Sequence, residues 1–324
     1  MIRVASLGAG RMGRGIAVVF AYAGHPVSVV DFKPRDAEAF QRLAAEVRAE
    51  IDATLGMLGR IGLLAEGDAA VIAARITVVD DAGSAEALAA ADLIFEGLPE
   101  ILEVKQPGLA RASALARASA IIASTTSTIL VDDMSAHVVA PERFLNAHWL
   151  NPAFLMPLVE LSPGRHTAPE TTARLKDLLE AIGKVPVVCA ARPGYIVPRI
   201  QTLAMNEAAR MVEEGTASAE DIDKAVTYGF GFRFAVLGLL EFIDWGGGDI
   251  LHHASRYLVE ALGDQRYAAP DIIARNMREG RIGMKSGSGF LNYQGLDLPK
   301  MQQDKLWQFA EALRRIGLAK PPII

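Results

Sequence analysis

The sequence has one cysteine in 324 residues, only 6% aromatics, no long uncharged apolar run and no excess of basic charge. Each scarcity excludes something. A single thiol, Cys189, forms no intrachain disulfide, and its place in Val185-Pro186-Val187-Val188-Cys189-Ala190-Ala191 predicts a buried strand residue in a protein of the reducing cytoplasm. The longest uncharged stretch, 144–159, carries Asn146, His148, Asn151, Pro152 and Pro157, so it is neither long nor apolar enough to span a bilayer. Lys and Arg number 33 against 38 Asp and Glu, and no basic tract is interleaved with aromatics, so nucleic acid is not an expected partner. Residues 1–7 lack the basic and apolar regions of a secretory signal, and the chain is expected to be mature from residue 1.

What is present is ordinary globular material: 51% apolar and 22% charged residues, in a chain long enough for two domains. Short apolar runs at 2–7, 27–30, 76–79, 93–95 and 120–123 predict strands, and segments 11–23, 35–55, 100–117 and 169–182 have helical spacing and composition. That alternation predicts an α/β fold with a doubly wound, mainly parallel sheet. Runs at 144–149, 157–161 and 185–189 extend the sheet. After Pro193-Gly194 the pattern turns helical, at 197–214, 219–228, 236–242, 249–262, 271–279 and 300–316. The expected division is therefore 1–192 for the sheet domain and 193–324 for an all-α domain.

Gly8-Ala9-Gly10-Arg11-Met12-Gly13 follows a predicted strand and opens a predicted helix, the context in which GxGxxG binds a dinucleotide. Gly8 allows the tight turn, Gly10 leaves room for a pyrophosphate, and Gly13 lets helix and strand approach closely. Unpaired amides at the helix N-terminus favour the phosphates. Asp31 ends the next strand, 18 residues after Gly13, where a carboxylate accepts from an adenosine ribose and repels a 2′-phosphate. The expected cofactor of this Rossmann-type domain is NAD, with Lys33 and Arg35 close enough to soften that preference. No metal is expected.

Catalytic chemistry needs a polar group near the carboxyl ends of the strands. His148 lies at the end of a predicted strand, and Glu160 follows 12 residues later, so that one strand and its return place them side by side. A carboxylate on one imidazole nitrogen fixes the tautomer and raises the basicity of the other, which accepts a hydroxyl proton. His25, His137, His166 and the His252-His253 pair lie in turns, polar loops or a helix, where structural or solvated roles are expected.

Gly8 to Ala17 match the GxGxMGxGIA pattern of the L-3-hydroxyacyl-CoA dehydrogenase family, which the chain resembles over nearly its whole length. Glu100 to Lys105 resemble the family's E-x(4)-K segment, and Thr125-Thr126-Ser127-Thr128 its NTSS turn. His148 to Pro152 and Leu158 to Glu160 resemble HFFNP and LVE. Pro193 to Val197, Asp221 to Asp223 and Lys285 to Phe290 resemble PGFIV, DID and KTGEGF. The resemblance implies that His148 is the general base, Glu160 its orienting carboxylate and Ser127 a donor to the substrate oxygen. Asn151 would shape the same pocket, Glu100 and Lys105 would touch the nicotinamide ribose side of the cofactor, and the helical domain would form a homodimer interface.

Two departures bear on the substrate. Pro198 stands where the family's PGFIVNR has asparagine, and losing one donor to a developing oxyanion costs on the order of a hundred- to a thousandfold in turnover. No lysine occurs between Lys33 and Lys105, where the family meets coenzyme A phosphates, leaving Arg42, Arg48 and Arg60 as substitutes. Gly231 to Gly238 is unlike the family's GxPMGP and resembles the lambda-crystallin and L-gulonate 3-dehydrogenase branch, which uses free hydroxy acids. Arg233 is then the candidate clamp for a substrate carboxylate. The expected function is NAD-dependent oxidation of the 3-hydroxyl of a 3-hydroxyacyl-CoA or related 3-hydroxy acid. The alternatives are a dehydrogenase of a small gulonate-, carnitine- or pyridine-like substrate, and an inactive dinucleotide-binding protein of the crystallin kind.

Overall fold

The computed structural model describes residues 1–323. Its first part alternates strand and helix: β1 (Val4–Leu7), α1 (Arg11–Tyr22), β2 (Val27–Val30), α2 (Ala37–Arg60), α3 (Asp68–Ala73), β3 (Ile76–Val79), α4 (Ser84–Ala90), β4 (Leu93–Glu96), α5 (Leu102–Leu115), β5 (Ile121–Ser124) and α6 (Val131–Ser135). Then come β6 (Phe144–Trp149), β7 (Leu158–Pro163), α7 (Pro169–Ala181) and β8 (Val185–Val188). The eight strands form one sheet in the order β3-β2-β1-β4-β5-β6-β7-β8. Neighbours from β3 to β6 are parallel, β7 runs antiparallel to β6, and β8 is parallel to β7. The doubly wound, mainly parallel sheet expected from the sequence is present.

Helices on both faces explain why these strands read as continuous apolar runs. Val27, Val29, Leu93, Phe95, Ala147 and Trp149 pack with α1, α2 and α7 in one core; Ala5, Leu7, Val30, Ile94, Ile122 and Phe144 pack with α4, α5 and α6 in the other. Strand order reverses between β1 and β4, whose last residues Leu7 and Glu96 lie opposite each other. A crevice opens outside the carboxyl ends of strands at such a reversal.

Cys189 departs from its expectation. It lies just past β8, half-buried, because β8 is an edge strand with Val185 and Val188 exposed. Helices α3, α4 and α6 were not predicted, since five to seven residues are too few to display a helical period.

The chain divides into two compact units, Met1–Leu203 and the residues from Ala204 onward. The second is helical, as expected: most of α8 (Val197–Glu213), then α9 (Ala219–Ala225), a π-helical turn over Val226–Gly231, α10 (Phe232–Phe234), α11 (Leu239–Gly246), α12 (Gly248–Leu262), α13 (Asp271–Arg278) and α14 (Leu298–Arg315). Helix α11 begins three residues later than predicted, at Leu239, after Gly238, whose amide is capped by the Glu241 carboxylate at 3.2 Å. Within this unit the loop over residues 283–293, with glycines at 283, 287 and 289, wraps the buried Asp244, which accepts from the amides of Phe290 at 2.9 Å and Leu291 at 2.8 Å and from the Tyr293 hydroxyl at 3.2 Å. A Cβ on Gly283 or Gly289 would fall within 2.3 Å of Asp244, which accounts for the glycines there. No single helix among the described residues is long and apolar enough to cross a membrane.

Candidate active site

The glycine turn lies at the β1 and β4 reversal. Gly8 has φ +94°, and a Cβ there would stand 2.7 Å from the Gly97 carbonyl oxygen. A Cβ on Gly13 would stand 2.1 Å from the Gly8 carbonyl oxygen, whereas Gly10 faces open space. Bare backbone at Gly10 beside the start of α1 fits a pyrophosphate. Arg11 is exposed in the first turn of α1, and Met12 is half-buried against the core. Gly8, Gly10, Asp31, Lys33 and Arg35 line one cavity of about 350 Å³. Asp31 is buried at the end of β2 and accepts from Arg35 Nε at 2.5 Å, so its charge is already partly matched.

Below that cleft, β4 ends on a buried carboxylate. Glu96 accepts from Lys105 Nζ at 2.8 and 3.1 Å, from the Leu98 amide at 2.7 Å and from the Ser124 hydroxyl. Lys105 is buried rather than solvated, and its remaining contacts are the Leu98 carbonyl at 3.1 Å and Glu100 at 3.4 Å. Glu100 gathers the turn after β5: its Oε1 accepts from the Thr126 hydroxyl, the Ser127 amide at 2.9 Å, and the Thr128 amide and hydroxyl at 3.0 and 2.9 Å. Burial pushes the Glu100 carboxyl up, but these donors and the Lys105 ammonium outweigh it and hold it below its ordinary range. Ser127 itself is exposed on this turn.

Antiparallel register places His148 of β6 directly opposite Glu160 of β7. Period-two geometry sends both side chains to one face, and His148 Nδ1 lies 2.8 Å from Glu160 Oε2. Glu160 is fully buried; its Oε1 accepts from the Ile196 and Val197 amides at 2.8 and 2.9 Å, at the N-terminus of α8. Pro198 occupies the first turn of α8, where an amide has no intrahelical partner, so proline is accommodated there. Asn151 is exposed beyond β6. The connection to β7 is held from below by Lys184, whose buried ammonium donates to the Ala153 and Met156 carbonyls at 2.6 and 2.8 Å. Arg233 belongs to the second unit, with its guanidinium 4.5 Å from the centre of the Phe242 ring. Arg42, Arg48 and Arg60 are exposed on α2, and Arg42 pairs with Glu38.

Glu96, Ser124, Asn146, Lys184 and Tyr195 were not singled out from the sequence. A charge closing the apolar run Leu93-Ile94-Phe95-Glu96 was the readable signal for the first of them. For the others only the folded contacts reveal the role.

A parallel sheet whose order reverses where a glycine turn meets a helix N-terminus defines a dinucleotide-binding α/β protein. Residues 3–192 match the NAD binding domain of 3-hydroxyacyl-CoA dehydrogenase and residues 194–293 its C-terminal domain. The chain belongs to the 3-hydroxyacyl-CoA dehydrogenase family of oxidoreductases, and its cofactor is NAD. It is 33% identical to 5-formyl-3-hydroxy-2-methylpyridine 4-carboxylate 5-dehydrogenase of Mesorhizobium japonicum, over 98% of each chain. It is 32% identical to a probable 3-hydroxybutyryl-CoA dehydrogenase of Deinococcus radiodurans, over 89% of this chain and 98% of the relative. Among solved structures, a 3-hydroxyacyl-CoA dehydrogenase of Archaeoglobus fulgidus superposes with a TM-score of 0.76 at 29% identity, covering 98% of this chain and all of that one.

Proposed function

We propose that the protein oxidises the 3-hydroxyl of a 3-hydroxyacyl-CoA or a related free 3-hydroxy acid to the 3-keto product, with His148 as general base. The observation that carries this reading is the His148 Nδ1 contact of 2.8 Å to a Glu160 carboxylate that two backbone amides hold in turn. With Nδ1–H donated to Glu160, Nε2 is left unprotonated to take the hydroxyl proton, and Glu160 stabilises the imidazolium that results. Ser127 would donate to the substrate oxygen, Asn151 would border it, and Arg233 would clamp a carboxylate. NAD, when bound along Gly8, Gly10, Arg11, Met12, Gly13 and Asp31, supplies the acceptor for the hydride. Glu100 and Lys105 are proposed on its nicotinamide side, Lys105 acting through Glu96 and Glu100.

A second reading keeps the base and changes the substrate to a pyridine alcohol or aldehyde. The full-length match to the Mesorhizobium enzyme favours it, as do Pro198 and the absence of lysine between Lys33 and Lys105. NADH formation with L-3-hydroxybutyryl-CoA, free 3-hydroxybutyrate and a substituted pyridine aldehyde separates the two; no turnover with any of them would leave only NAD binding and overturn both.

We further propose a cytoplasmic homodimer. Residues 1–192 would hold the cofactor and the acid–base pair, and residues 193–324 would supply substrate contacts and the subunit interface. Exposed apolar side chains on α8, α12 and α14, among them Leu203, Ile250, Tyr257, Leu306 and Trp307, support the pairing.

A further inference from the structure

Tyr195 has φ +44°, a left-handed backbone that an aromatic residue keeps only where its surroundings fix it. Those surroundings are the site. The Tyr195 ring stacks on the His148 imidazole, with centroids 4.8 Å apart and planes 12° from parallel. Its hydroxyl donates to the Thr126 carbonyl at 2.9 Å and accepts from Asn146 Nδ2 at 3.1 Å. Asn146 is anchored in turn on the Ile129 carbonyl at 3.0 Å, at the far end of the same turn. Burial pushes the phenol well above its ordinary range, so the hydroxyl keeps its proton and remains a donor. The next two amides in the chain are those that hold Glu160.

We propose that Tyr195 is a positioning residue that couples His148 to the Ser127 turn: its ring fixes the plane of the imidazole, and its hydroxyl fixes the Thr126 carbonyl and with it the placement of Ser127. The inference rests on the reading of His148 as base and Ser127 as donor. The hydroxyl is this chain's own contribution, because the PGFIV motif that it resembles has phenylalanine at that position, which offers the ring without either hydrogen bond.

Two variants divide the two functions. Tyr195→Phe keeps the stack and removes both hydrogen bonds, while Tyr195→Leu removes the stack as well. Nitrogen NMR of histidine-labelled protein follows the His148 imidazole without any substrate, its signals assigned by their loss in His148→Gln. Turnover is read with L-3-hydroxybutyryl-CoA or its free acid, whichever is faster. For Tyr195→Phe the expected result is unchanged NAD affinity, a Tm lower by a few degrees because the buried Thr126 carbonyl and Asn146 amide lose a partner, an unmoved His148 titration and a roughly three- to tenfold fall in kcat/KM per folded molecule. Tyr195→Leu is expected to displace the His148 titration midpoint as well. Wild-type kcat/KM in Tyr195→Phe, or an unmoved His148 titration in Tyr195→Leu, overturns the coupling. So does a loss of kcat/KM that vanishes once rates are normalised to the folded fraction at the assay temperature. If His148→Gln turns over like the wild type, the base reading fails instead, and the Tyr195→Leu titration still decides the ring's role.

Discussion

In the proposed mechanism His148 would offer Nε2 to a substrate because Nδ1 contacts Glu160, which is itself held by two amides. His148→Ala is therefore expected to lower kcat/KM roughly a hundred- to ten-thousandfold with little change in NAD affinity, measured by steady-state kinetics and calorimetry; retention of activity sinks the mechanism. Asp31 is the residue proposed to hold the adenosine ribose of the cofactor. Asp31→Asn removes a charged acceptor, and NAD binding should weaken roughly ten- to a hundredfold while NADP binding improves, with Lys33 and Arg35 no longer opposed. An unchanged ratio of the two dissociation constants would place the ribose elsewhere. Glu100 gives a pH dependence with a definite sign. Its folded carboxyl lies below the ordinary value of 4.5, so its stabilising contribution is complete above that value and is lost as the pH falls through the folded one. Denaturant titrations of wild type and Glu100→Gln should run parallel near neutrality and converge in acid. Curves that stay parallel throughout would show that Thr126, Thr128 and Lys105 do not favour the ionised form.

At the scale of elements, the corner from β4 to α5 depends on one buried ion pair, Lys105 with Glu96. Breaking such a pair from one side leaves an uncompensated charge, whereas replacing both partners with apolar groups of similar volume is nearly neutral. Lys105→Met is expected to cost about 3–5 kcal/mol in urea unfolding, and adding Glu96→Leu should recover only part of it, because the Leu98 amide and Ser124 hydroxyl then lose their acceptor. Equal losses in single and double variants would mean that the pair contributes through packing alone. The sequence made most of this element order legible, because strands buried on both faces read as apolar runs bounded by glycine turns. The His148 and Glu160 juxtaposition was legible for a related reason: two adjacent strands and the period of two bring residues 12 apart onto one face. Edge strand β8 misled at Cys189, since its apolar composition carries no mark of its exposure. Lys105 and Tyr195 were legible only as motif positions. Their contacts with Glu96, Thr126 and His148 cross gaps of 9 to 69 residues that no periodicity encodes.

At the scale of the whole molecule, the two units differ in how they bury their apolar residues. Strands β1, β4, β5 and β6 are buried throughout, while α8 and α14 bury no side chain completely and α12 buries only Ser255. Ile250, Tyr257 and Leu258 recur on one face of α12 at a spacing of seven and eight, all exposed. A stripe of that kind is stabilised when a second surface covers it, and in a symmetric dimer the same stripe serves both subunits. The proposed homodimer should therefore sediment at twice the 34.7 kDa chain mass at micromolar concentration. Ile250→Asp combined with Tyr257→Asp places two charges in the covered stripe and should shift the equilibrium to monomer while far-ultraviolet dichroism and NAD binding by the first unit persist. A wild type that sediments as a monomer would sink the pairing. A double variant that remains dimeric would move the interface to another of the exposed faces, with the Leu306 and Trp307 surface of α14 tested next by the same substitutions.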